Sequence, residues 1–151
     1  MKDIERISYL CALVDQAGGE VYQKQKFLNG VYALNNSRDR KNDEQIFDYE
    51  FEGLATGGMT DKQLMEDIVS MEFLGLVKIK RDKRGDDKLE HDLIKITDKG
   101  MFEAAKAIRK LPYTKIKRIK EVAEDLKVLS NNEILNKYGK EWQEWALKEL
   151  A

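Results

Sequence analysis

The chain has 151 residues, one cysteine, and 27 basic against 28 acidic side chains, for a net charge of -1 at neutral pH. That length is one ordinary domain, able to bury a core without metal or disulfide staples, and the single Cys11 excludes an intrachain disulfide. The near-neutral balance excludes whole-molecule attraction to nucleic acid or anionic membrane, so any such pull must come from a local patch, and no stretch approaches the ~18 apolar residues of a membrane span.

The opening "MKDIERISYL" lacks the long apolar run of a signal peptide, and cysteine is scarce, so a cytoplasmic protein with no membrane partner is expected. Ile4, Ile7, Leu10, Cys11 and Val14 recur at helical spacing and stop at Gly18-Gly19. "VYQKQKFLNGVYALNN" repeats the pattern through Phe27, Leu28, Val31 and Leu34, predicting a second helix. Asn35 to Gln45 is polar and aperiodic, a surface loop. "IFDYEFE" then alternates Phe47, Tyr49 and Phe51 with acids, the period of a half-buried strand.

After Gly57-Gly58, Thr60 is placed to cap a third helix, with Gln63 at the capping-box position. Leu64, Ile68 and Met71 form its apolar face, extended to Phe73 and Leu74, and Gly75 ends it. "LVKIK" and "DLIKIT" alternate around the turn "RDKRGDDK", predicting a hairpin, and Thr97 caps the helix that follows. Beyond Pro112 the chain reads as all helix, with Ile116, Ile119, Val122, Ala123, Leu126 and Leu129 on one side. Ser130 and Glu133 then form a capping box, and "KEWQEWALKEL" closes the chain.

The expected fold class is α+β, mostly α, in the order of a winged helix-turn-helix domain over residues 1–111. Residues 112–151 form a helical extension packed on that domain or making a dimer contact. "LMEDIVSMEFLGLVKIK…LIKITDKG" resembles the ending shared by many winged helices. "FDYEFE", "GGMTDKQLMEDI", "LGLV", "ITDKG" and "LSNNEILNKYGKEW" together resemble the YwgA-like and Panacea-type (antitoxin-like) proteins, over about Ile4 to Trp142. The chain departs from that group at Thr56-Gly57-Gly58-Met59, where a Tyr-Gly-Pro-like motif is usual. The resemblance implies a regulatory or binding role and no defined reaction.

In winged helices the second helix of the turn enters the major groove. Here Thr60 to Leu74 carries Asp61, Glu66, Asp67 and Glu72 against Lys62 alone, a net -3. Phosphate contacts supply most non-specific affinity, so this helix is a poor reader. DNA contact is therefore expected from the wing residues Lys78, Lys80, Arg81, Lys83, Arg84 and Lys88, offset by Asp82, Asp86 and Asp87. It is also expected from the acid-free run Lys106 to Lys120, through Arg109, Lys110, Lys115, Lys117, Arg118 and Lys120. Either set also fits a merely solvated surface.

A non-enzymatic, DNA-binding transcription regulator is the first functional expectation. The second is a winged-helix protein-interaction module that leaves DNA alone. Its partner-binding residues would be Asp61 and Glu66 on the acidic helix and Trp142 and Trp145 near the C-terminus. A second copy of the chain is among the expected partners, because one face is acidic and another basic. His91 and Cys11 are the only residues of their types, and Asp86, Asp87, Glu90 and Asp92 match no familiar metal loop, so no metal or cofactor is expected. No nucleophile–base grouping or phosphate-cradling loop points to catalysis.

Overall fold

The computed structural model describes residues 1–35, 45–54 and 58–139. Trp142, Trp145 and most of the polar loop after Asn35 lie outside the described residues.

Helix α1 (Asp3–Gln16) buries Ile7, Leu10, Cys11, Leu13 and Val14 and ends at Gly18 and Gly19, both at positive φ. Ile4, expected on that face, is exposed, because burial along α1 begins only at Arg6. The next segment corrects the sequence reading. Val21 does not open a helix but sits in strand β1 (Glu20–Tyr22), and helix α2 (Lys24–Leu34) starts only after Gln23, whose φ is 75°. β1 adds to the hairpin of β4 (Val77–Asp82) and β5 (His91–Ile96) in an antiparallel sheet of order β1-β5-β4. Val21, Ile79 and Ile94 are in register on the face turned to the core, with Val77 and Ile96 beside them. Strand alternation puts Lys78, Lys80 and Lys95 on the opposite face.

The stretch 46–52 alternates as expected, with Phe47 and Tyr49 buried and Asp48 and Glu50 exposed. It is nonetheless not a laddered strand. Asn35 supplies what a neighbouring strand would, its Nδ2 donating to Tyr49 O and its Oδ1 accepting from Tyr49 N, each at 2.8 Å. Phe47 makes an isolated parallel bridge to Asn35, and β2 (Glu52–Gly53) and β3 (Met59–Thr60) pair as a two-stranded clip. The chain around Met59 is tied to α2 in the same manner. Asn29 Oδ1 accepts from Met59 N at 3.1 Å and from Gln25 Nε2 at 3.0 Å, and Gln25 also donates to Met59 O at 2.9 Å.

Helix α3 (Lys62–Phe73) buries Leu64, Ile68 and Met71. Its cap is Asp61, not Thr60, which β3 holds in extended pairing. Asp61 Oδ1 accepts from Leu64 N at 2.8 Å and Oδ2 from Glu50 N at 2.9 Å, so one carboxylate starts the helix and fastens the strap before it. Asp61→Ala is therefore expected to cost about 1–2 kcal/mol in chemical denaturation. Thr60→Ala should cost clearly less, and equal losses would sink this assignment of the cap.

Gly75, at φ 74°, closes α3. Thr97 caps helix α4 (Asp98–Lys110) through Gly100 N and also donates toward the carbonyls of Gly75 and Leu76. Helix α5 (Tyr113–Val128) buries Ile119, Val122, Ala123 and Leu126 in the same core as α1 and α2. The last helix among the described residues, α6, covers 131–139, and Ser130 and Glu133 form its capping box with both bonds at 3.2 Å. Ile134 and Tyr138 of α6 join that core.

Candidate interaction surface

The acids of α3 divide into two classes. Asp67 faces inward, only 2% exposed, where Oδ2 accepts from Arg6 Nε at 2.8 Å and Tyr49 OH at 2.6 Å. Its Oδ1 accepts from Gln63 Nε2 at 2.9 Å. Arg6, itself buried, also donates to Met1 O and to Asp3. The hydrogen bond that the guanidinium donates to Asp67 holds it firmly protonated, above its ordinary range, against the cost of burial. Burial first, and then Asp67, pushes the Tyr49 phenol up. Asp61 is likewise buried and serves as the cap.

The net -3 counted along the sequence therefore overstates the charge α3 presents. Its exposed charges are Lys62, Glu66 and Glu72, the last also accepting from Ile79 N at 3.1 Å. Between them stand Val69 and Phe73, one helical turn apart and 64% and 88% exposed, with Leu74 exposed at the helix end. Phe73 was expected in the core. It lies two positions past Met71, which in a helix is about 200° around the axis, so it points outward. Lys99 Nζ donates to Leu74 O at 2.9 Å, placing the start of α4, with exposed Met101 and Phe102, beside this end of α3.

The basic residues expected at the wing also separate. Arg81 is held by Asp92 and Glu90 O, and Arg84 by Asp82 and Glu20 over the Tyr22 ring. Lys78, Lys80, Lys83 and Lys88 are exposed and form no ion pair among the described residues. In the later run, Arg118 is largely covered, bonded to Glu121 and Ala33 O and set over the Tyr138 ring. Arg109, Lys110, Lys117 and Lys120 are exposed, and Lys115 is half-buried.

That run borders an open groove of about 550 Å³ between α5 and α6. Tyr113, Ile116 and Tyr138 give it apolar walls, with Lys117 and Lys120 at the rim. Its carboxylates are all engaged, Glu121 by Arg118, Glu124 by Lys127, and Asp125 by Lys137 and Tyr138. Lys117 and Lys120 form no ion pair among the described residues, so they leave the rim positive.

No group of three or more His, Cys, Asp or Glu among the described residues could hold a metal ion, and no described helix is long and apolar enough to cross a membrane. No family model, curated protein or solved structure matches the chain. What its surface can do is read from its own residues. Sequence reasoning missed Val69 and Phe73 as surface residues, although the helical wheel anchored on Leu64, Ile68 and Met71 carries that signal.

Proposed function

We propose that this chain is a winged-helix regulatory module that acts by binding protein, with the outward ridge of α3 as its docking surface. The order α1-β1-α2-α3-β4-β5, with the β2-β3 clip inserted between α2 and α3 and β5 central in the sheet, supports the winged-helix assignment. In that arrangement α3 takes the place of the helix that enters DNA. Its outward face offers one lysine, two carboxylates and two large apolar side chains, and no arginine. Such a face repels phosphate and gains most by losing contact with water.

The exposure of Phe73 and Val69 on one ridge carries the reading, since contiguous exposed apolar surface marks interaction sites. A non-enzymatic, antitoxin-like or assembly role agrees with the resemblance to YwgA-like and Panacea-type proteins. A second reading, contact with DNA phosphate, is favoured by Lys78, Lys80 and Lys95 on one face of the sheet.

A photo-crosslinking amino acid at position 69 or 73, activated in cells, separates the two. Polypeptide adducts from both positions, above the level from exposed Glu5 on α1, are the expected result. Nucleic-acid adducts, or none above that level, would overturn the protein-binding reading.

A further inference from the structure

Resting on that reading of α3, we infer that its ridge fits a second copy of this chain, seating Val69 and Phe73 in the groove between α5 and α6. The two surfaces are complementary in shape and in charge. The ridge is convex and apolar, flanked by Glu66 and Glu72, neither of which forms an ion pair among the described residues. The groove is concave and walled by Tyr113, Ile116 and Tyr138, with Lys117 and Lys120 left positive at the rim.

Its volume of about 550 Å³ lies within the roughly 300–1,000 Å³ of pockets that enclose a ligand-sized body. That is room for two side chains of this size. Tyr113, 76% exposed, offers a ring face or edge to Phe73. Glu66 and Glu72 would then approach Lys117 and Lys120 across an interface whose apolar centre excludes water, which strengthens the attraction.

This contact is head-to-tail. The ridge of one copy meets the groove of the next, and a single such contact leaves the pair with one ridge and one groove unused. Where a two-fold axis lets each ridge enter the other copy's groove the contact closes at two copies, and where it does not the contact grows into a ring or an open chain. A face-to-face dimer built on the ridge alone would stop at two.

The test uses the full chain and two variants whose changes fall on exposed positions, Phe73→Asp and the double change Lys117→Glu with Lys120→Glu. Circular dichroism first establishes that both fold as the parent does. Sedimentation should show the parent associating to a dimer or beyond as concentration rises, and each variant alone weakened by roughly tenfold or more. An equimolar mixture of the two variants should recover association and stop at one copy of each, since only one ridge and one groove remain intact.

A parent that stays monomeric to about 1 mM, a Phe73→Asp variant that assembles like the parent, or a mixture that fails to associate each overturns the head-to-tail contact. If the parent is monomeric while position 73 still captures another polypeptide in cells, this inference fails and the protein-binding reading survives. If position 73 captures nothing as well, both fail.

Discussion

Replacing Asp67 with alanine is expected to lower the free energy of unfolding by about 3–5 kcal/mol, read from urea or guanidinium denaturation. Removing this carboxylate strands two buried donors, the guanidinium of Arg6 and the phenol of Tyr49, and also frees the exposed amide of Gln63. Arg6 cannot turn to water for a replacement, because its side chain is 7% exposed. Asp3, which also binds Arg6, is a partner from solvent and does not fill the buried side. The greater part of the loss comes from leaving a positive charge buried without its partner. The combined change Asp67→Leu, Arg6→Met and Tyr49→Phe, which removes both the charge and its donors, should recover much of it. A loss below about 1 kcal/mol for Asp67→Ala would mean that the network is ornamental to stability.

Gly100→Ala is expected to destabilise by about 3 kcal/mol, the upper end of ordinary overpacking. A helical glycine exchanged for alanine normally gains stability, by up to about 1 kcal/mol, so the sign of this result is itself informative. A methyl group here would stand 2.1 Å from the Leu76 carbonyl oxygen and 2.7 Å from Ile96. The obstacle is backbone, and that same carbonyl accepts from Thr97 N at 3.0 Å, so it cannot step aside without breaking the junction between hairpin and α4. Gly58→Ala makes the comparison. Its nearest obstacle is the end of the Gln25 side chain, at 2.4 Å, which can rotate away at the cost of its hydrogen bonds. Thermal or denaturant melts should rank the Gly100 variant as the weaker protein.

Signals that act within a few residues were legible in the sequence. Thr97 capping Gly100, Gly75 closing α3 and Ser130 reciprocating with Glu133 all lie within one helical turn of what they control. The hairpin also follows from alternation flanking a polar turn. Features whose cause lies far along the chain were not legible. β1 is three residues long and exists because Val21 meets Ile94. Nothing local distinguishes it from the first turn of α2.

Asp67 read as an outward acid because charge on a helix usually faces water. Its inward position depends on Arg6, 61 residues earlier. The cap was misplaced by one residue, because Thr60 and Asp61 are both good caps and only the pairing of Thr60 in β3 decides between them. The ridge of α3 was misjudged for a simpler reason. Apolar residues near the end of a helix were assigned to its core face by type, when their angle around the axis sends Phe73 the other way.

The position of α5 bears on how the chain comes off the ribosome. Gly30 lies so close to Leu126 that a Cβ there would sit 2.9 Å from it, Arg118 reaches back to the carbonyl of Ala33, and Asn29 donates to Asn131 at 2.9 Å. The inner side of α2 is thus finished by residues made about a hundred positions later. Synthesis proceeds from the N-terminus, and contacts of such long sequence separation form slowly. Until those residues emerge, α2 is a half-covered helix with apolar and amide groups waiting for partners, the state in which a chaperone or a binding partner has its longest opportunity to engage. Completion of the core arrives with α5 and α6, so the window closes only once those helices have emerged.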